Sequence, residues 1–199
     1  MIKKSKKAKI HILGNGDLAK EFMSFADFDE NVTRCYSISE IYKLDIKYII
    51  DNKQKVYLAM SKSSFRKEVF EFLLRNELEP DTFIHPSVII GKRTSVGAGC
   101  IIQPNTIISN DVIINKSVFV NCNSNIGHDV EIGNYCSIMT NVNIGGHCIL
   151  DNGVFIGTGA SLIPKVKIHS NIIVGLASVV IKNLTKEGSY FGNPAKLIS

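Results

Sequence analysis

Residues 120–150 read VNCNSNIGHDVEIGNYCSIMTNVNIGGHCIL, and an aliphatic residue returns at every sixth position: Val120, Ile126, Ile132, Ile138, Ile144 and Leu150. The register continues upstream through Ile114, Ile108, Ile102, Val96, Ile90 and Ile84, and downstream through Ile156, Leu162, Ile168, Val174 and Val180. Seventeen hits without a miss are not chance in a chain that is 45% hydrophobic. Four residues after each step sits a second set, small or β-branched, which includes Cys100, Thr106, Val112, Ser124, Cys136 and Ala160. A period of six with two inward positions fits neither the 3.6-residue period of a helix nor the alternation of a lone strand. It predicts a hexapeptide parallel β-helix, each hexad supplying one short strand and a turn.

Three hexads make one triangular coil, so residues eighteen apart should stack at about 4.8 Å. The sequence then becomes a map. Asn105, Asn123 and Asn141 fall in one turn column, where asparagine tolerates a left-handed backbone and amides could pair along the stack. His128 takes a turn position, so its side chain should point outward. Position 146, one coil on, is a glycine, which leaves bare backbone beside the imidazole. Such a pair offers a proton acceptor and an unobstructed N–H to one carbonyl carbon. The neighbouring column runs Asp111, Asp129, His147, Lys165, while that of His128 continues through Pro164 to Lys182. Two lysines therefore lie two to three coils from His128, roughly 10 to 14 Å, within reach of a phosphate-bearing tail.

The chain has 199 residues and a net charge of +5, the composition of a soluble globular protein. No apolar run approaches a membrane span, and the apolar core of MIKKSKKAKIHIL is too short for a signal peptide. Five cysteines without a C-x-x-C pair point to a reducing, cytoplasmic setting. The lysines at 3, 4, 6, 7 and 9 read as a solvated tail. Nothing aromatic interleaves them, so nucleic acid is not expected as a partner.

Residues 1–80 differ from the repeat, with Pro80 and Pro86 at the junction. KIHIL reads as a strand, GNG as a tight turn, DLAKEFMSFA as a helix, KVYLAM as a further strand and 63–76 as a helix. Gly14, Asn15, Gly16 and Ala19 give G-x-G-x-x-A, where backbone N–H groups can meet a phosphate. No acidic residue stands where a dinucleotide's ribose would need it, and the region is short for a full dinucleotide fold. It predicts a small Rossmann-like α/β unit suited to a mononucleotide.

The hexads, IGHDVEIG, VFIGTGASLIP and the closing GNPAK at 192–196 together resemble bacterial acetyl-CoA-dependent sugar acetyltransferases of the left-handed β-helix superfamily. The branch concerned includes sialic-acid O-acetyltransferases and nucleotide-linked amino-sugar N-acetyltransferases of surface-glycan pathways. The resemblance implies a left-handed coil over residues 81–199 with a short C-terminal extension. It also implies a homotrimer, acetyl-CoA in a groove between adjacent β-helices, and the acceptor's nucleotide on residues 1–80 at Gly14–Gly16. His128 would be the general base, Asp129 its acidic companion, Asn121 a polar active-site residue and Gly146 the N–H that faces the thioester. Ser137, Gly157, Gly175, Lys165 and Lys182 would contact the coenzyme. Four departures stand out: Ser137 replaces a histidine, Leu176 replaces a groove glycine, TRCYSIS replaces the usual paired aspartates after the second strand, and Ser61 replaces the usual glycine after the third. The nucleotide, the sugar and the choice between N and O attack stay open.

Two other classes remain. A zinc-dependent β-helix enzyme needs three converging histidines, and position 133, where a second ligand would fall, is Gly133. A silent binding subunit is the other. No metal is expected. Cys122 carries no mark of an activated thiolate, and His11, His85 and His169 read as structural.

Overall fold

A computed structural model describes residues 9–198; the lysines at 3, 4, 6 and 7 lie outside them. The N-terminal unit contains β1 (Ile10–Leu13), α1 (Asp17–Ala26), β2 (Thr33–Tyr36), α2 (Ile38–Ile41), α3 (Ile46–Asp51), β3 (Lys55–Leu58) and α4 (Ser63–Arg75). Its strands form a parallel sheet in the order β2-β1-β3. Three strands, with α2 and α3 only 4 and 6 residues long, are less than the Rossmann-like domain expected. His11 is buried in β1, between the Tyr36 hydroxyl at 2.9 Å and Gln54 Oε1 at 2.8 Å, and burial lowers its pKa.

From Phe83 the chain winds into a parallel β-solenoid. Two-residue strands recur every six residues from Phe83–Ile84 to Val179–Val180, and each up to Ser161–Leu162 pairs with the strand eighteen residues on. They build three sheet faces. The inward positions follow the sequence pattern: Ile102, Val120, Ile138, Ile156 and Val174 are fully buried, as are Cys100, Val118, Cys136 and Val154. Ile84 and Ile90 are 37% and 39% exposed, because the first coil has no coil beneath it. Polar and thiol groups inside the tube follow one pattern, donation to the carbonyl fifteen residues ahead, except Ser178 at its end, whose Oγ accepts from Gly192 N at 3.2 Å. Ser124 Oγ reaches Met139 O at 2.9 Å, Cys100 Sγ reaches Asn115 O at 3.0 Å, and Cys136 Sγ reaches Asp151 O at 3.1 Å. The cysteines are free, and burial pushes the Cys136 thiol up to about 12.

The turn asparagines 105, 123 and 141 do adopt φ of 58°, 59° and 58°. Amide pairing occurs elsewhere: Asn125 Nδ2 donates to Asn143 Oδ1 at 3.0 Å, because these are outward residues of strands paired in register.

The first face of the solenoid is covered by the N-terminal unit. Ile12, Phe22, Tyr57 and Ala59 pack with Ile101 and Phe119 into one apolar cluster. Beside it Arg66 of α4 is 1% exposed. Its Nε donates to Ser117 O at 2.9 Å and Nη1 to Met60 O at 2.7 Å. Nη2 donates to Tyr135 O and Cys136 O, both at 2.9 Å, and to Ser137 Oγ at 3.0 Å. No carboxylate pairs with Arg66 among the described residues, and burial lowers its pKa to about 10. A guanidinium thus joins α4 to two consecutive coils through carbonyls that lose water on docking.

Arg66→Met keeps the apolar stem but leaves Met60 O, Ser117 O and Tyr135 O buried without a donor, while Cys136 O keeps the Phe119 N–H at 3.0 Å. Urea denaturation should show a loss of at least about 3 kcal/mol, since each orphaned group costs about 1–3 kcal/mol. Arg66→Lys, with three donors instead of a fork, should recover part of the loss.

Candidate active site

The corner between the second and third faces is built on very close stacking. A Cβ on Gly127 would lie 2.6 Å from Gly146 N, so the chain passes here without a side chain. The next residue, His128, lays its imidazole over the following coil. A Cβ on Gly146 would lie 2.8 Å from His128 Nε2 and 2.9 Å from Cε1, so only glycine accepts the ring in that place. No carbonyl among the described residues accepts from the Gly146 N–H.

Asp129 follows with φ 56°, and Arg93, Asp111, His147 and Lys165 repeat the left-handed turn along the same column. This turn brings the Asp129 carboxylate back to its neighbour: Oδ2 lies 2.7 Å from His128 Nδ1. A carboxylate only accepts, so Nδ1 carries the proton and Nε2 keeps its lone pair, aimed along the Gly146 surface. His147 stands edge-on to His128, with ring centroids 4.9 Å apart and planes at 88°, and its Nε2 is 4.0 Å from Asp129 Oδ2. One coil below, Arg93 grips Asp111 through two bonds of 2.5 and 2.7 Å and, with help from Asn110, holds its carboxyl down at about 2. The side chains of His128, Asp129 and His147 are 54%, 43% and 52% exposed. The arrangement is an oriented, solvent-reachable imidazole base with a backbone N–H beside it.

The remaining residues singled out in the sequence fall in four places. Lys165 and Lys182 are exposed on the same corner as His128, farther along the stack, and Lys182 also lines a cavity of about 290 Å³ with Thr185, Tyr190 and Lys196. Asn121, Gly157 and Gly175 lie on another corner, between the first and second faces. There Asn121 is buried with its Oδ1 accepting from Cys122 N at 2.7 Å, and the Phe191 ring lies over Gly175. Gly14, Asn15 and Gly16 link β1 to α1. Gly14 is locked, since φ is 135° and a Cβ would sit 2.3 Å from Ala59 O, whereas nothing lies within 4 Å of a Cβ on Gly16. Ser137 is a correction: it is fully buried under the N-terminal unit against Arg66 and has no surface to offer a coenzyme. Burial raises the Cys122 thiol, which argues against a nucleophilic thiolate.

Arg66 was not singled out in the sequence, although its spacing from Val69, Phe70 and Leu73 is that of the buried face of α4. The approach of His147 to Asp129 follows from the eighteen-residue offset between them.

The fold is that of solved acetyltransferase structures. The acetyltransferase domain of PglB from Neisseria gonorrhoeae FA1090, in complex with acetyl coenzyme A, superposes with a TM-score of 0.83 at 18% identity, covering 96% of this chain and 100% of that one. PerB from Caulobacter crescentus, in complex with CoA and GDP-perosamine, gives 0.72 at 21% identity, covering 96% and 98%. A mutant perosamine N-acetyltransferase from the same organism gives 0.60 at 20%, covering 96% and 97%. No protein-family model and no curated protein matches the chain.

Gly146→Ala tests the floor under His128. The obstructed group is the free end of a side chain, so stability should change by less than about 1 kcal/mol. The ring must swing away from its floor and from Asp129. Nitrogen-15 spectra of labelled imidazoles should then show the single Nδ1–H tautomer of His128 giving way to a mixture.

Proposed function

We propose that this chain is an acetyl-CoA-dependent acetyltransferase that acylates the amino group of a nucleotide-linked amino sugar. The observation that carries this reading is the His128 imidazole, oriented by Asp129 over Gly146, in a fold shared over nearly the full chain with acetyltransferases. The acceptor amine attacks the thioester carbonyl while Nε2 of His128 takes its proton, and the Gly146 N–H donates to the developing oxyanion. Collapse of the tetrahedral intermediate expels the coenzyme thiolate, which recovers the proton from the imidazolium. Asp129 holds the tautomer throughout and steadies the cation between the two steps. No acyl-enzyme is needed. The preference for N over O attack draws on GDP-perosamine in the PerB complex; a hydroxyl acceptor of sialic-acid type would use the same base.

We take the coil to be left-handed and the active unit a homotrimer. Lys165 and Lys182 lie on one corner of the solenoid and Gly157 and Gly175 on another, so one chain does not gather these coenzyme contacts into a groove. A neighbouring chain that presents its other corner would gather them, with the lysines facing the coenzyme phosphates. Residues 1–80 would hold the acceptor, its phosphates at the β1–α1 turn near Gly16 and Asn15, and Asn121 would help to place the sugar. Asp17, exposed in the first turn of α1, opposes anions there, so backbone N–H groups must supply the contact.

His128→Ala should lower kcat by roughly a hundred- to ten-thousand-fold, the usual worth of a positioned general base. The residue is exposed on a turn, so stability should move by less than about 0.5 kcal/mol. His147→Ala should cost far less in kcat. Steady-state kinetics with acetyl-CoA and a panel of nucleotide-linked amino sugars and free sialic acids measures both. Near-normal turnover of the His128 variant would remove the base from the mechanism.

Gly16→Leu projects into open space, so the fold should tolerate it. It should raise the acceptor KM at least about tenfold through a lost phosphate contact and leave the acetyl-CoA KM unchanged, as read from initial rates with each substrate varied in turn. Gly14 cannot serve, because any side chain there would break the sheet edge first.

A further inference from the structure

Acetyl transfer as described uses one imidazole, yet a second shares its carboxylate. Asp129 Oδ2 lies 2.7 Å from His128 Nδ1 and 4.0 Å from His147 Nε2. One ligand-type atom from each of the three side chains falls within 4.8 Å of the others, and among the described residues no other trio of His, Cys, Asp or Glu is grouped this way. Two imidazole nitrogens and a carboxylate oxygen suit zinc and neighbouring transition metals, with bonds of about 2.0–2.2 Å. Ligand atoms on a tetrahedral ion of that size stand about 3.4 Å apart. The observed 2.7 and 4.0 Å separations bracket this value. Side-chain rotation closes the difference, since all three groups are near half-exposed, while the backbone beneath is fixed by stacking and by the 2.9 Å bond from His147 N to His128 O.

The surrounding charges permit a cation. Asp111, one coil below Asp129, is neutralised by Arg93. Lys165, one coil beyond His147, is the opposing charge and sits on the far side of that residue from Asp129.

We propose that His128 Nδ1, Asp129 and His147 Nε2 bind one divalent transition-metal ion, such as Zn²⁺, per chain, and that the ion switches the His128 base off. The chemistry is a tautomer change. With the carboxylate as partner, Nδ1 carries the proton and Nε2 is the base. A neutral imidazole that gives its Nδ1 lone pair to a metal carries its proton on Nε2 instead, so the proton moves across the ring, no net charge is lost, and Nε2 becomes a donor. The ion blocks proton transfer; it does not supply a reactive water. The metal site stands on geometry alone, while the switch rests on His128 being the general base.

The test uses untagged, full-length protein stripped of metal with a chelator and titrated with ZnCl₂ by calorimetry. Wild-type protein should bind one ion per chain, and His147→Ala and Asp129→Asn should each weaken binding at least about tenfold. Nitrogen-15 spectra of the His128 ring should show Nδ1–H replaced by Nε2–H as zinc is added. In assays that follow the acetylated product, with free zinc held by a metal buffer because released thiol binds zinc, transfer should fall in step with occupancy. The His147→Ala enzyme should need at least about tenfold more zinc for the same fractional inhibition. Absence of saturable binding, or binding unchanged in both variants, would overturn the metal site. Stoichiometric binding that vanishes in His147→Ala but leaves wild-type transfer untouched would overturn the switch, and with it the reading of His128 as base.

Discussion

Every later feature of this protein rests on one constraint: each coil must lie against the next at the spacing of a β-ladder, about 4.8 Å. At that distance the tube interior holds two side chains per hexad, and the pattern of branched and small residues follows. It also dictates where polar atoms go. Ser124, Cys100 and Cys136 fit inside because each finds a carbonyl fifteen residues ahead, at a point the stacking always supplies. The corners obey the same spacing, which is why a Cβ on Gly127 would collide with the backbone of the next coil while the turn column accepts Asp, Asn and His in a left-handed conformation.

A solenoid stacked in this way has no natural partner for a second domain, and Arg66 supplies the connection. Apolar packing of Phe22 and Tyr57 on Ile101 and Phe119 gives area without direction. The guanidinium gives direction, because its fork must meet Ser117 O, Tyr135 O and Cys136 O together. Those carbonyls belong to successive coils, so one side chain fixes both the height and the angle at which α4 meets the tube. The burial that lowers the pKa of Arg66 is outweighed by neutral acceptors at near-ideal distances, and the charge stays on the side chain.

Legibility in the sequence tracked how strongly a period constrained the residues. The solenoid repeat was visible across all its coils because the narrow interior rejects exceptions, and the two poorly buried members, Ile84 and Ile90, stand where no coil lies beneath. β1, α1, β3 and α4 were visible from alternation and helical spacing, with α4 ending at Arg75. The short helices α2 and α3 carry too few residues for a period, although Asp45 caps α3 by accepting from Tyr48 N. In the candidate site, His128 over Gly146 and the Asp129–His147–Lys165 column follow from the eighteen-residue offset. Ser137 could not be placed in that way, because its environment comes from a domain that folds over the first face. Arg66 was hidden for the opposite reason, since a charged residue among apolar positions is ordinarily taken as solvated.

The histidine within the repeat owes its chemistry to its immediate successor and to the residue one coil on. Residue 129, in a left-handed turn, directs a carboxylate at Nδ1; residue 146, without a side chain, leaves a floor for the ring. Neither condition involves the interior, so the corner can change without cost to the core. The same offset places residue 147 against residue 129 and leaves the carboxylate with two imidazoles to serve. In stacked coils, a group that orients a base in one turn lies close to whatever occupies the next turn, as the 4.0 Å from Asp129 Oδ2 to His147 Nε2 shows. The tautomer of His128 is set within its own coil by Asp129, while residue 147, with Nε2 4.0 Å from the same carboxylate, stands beside the pair without making a hydrogen bond to it.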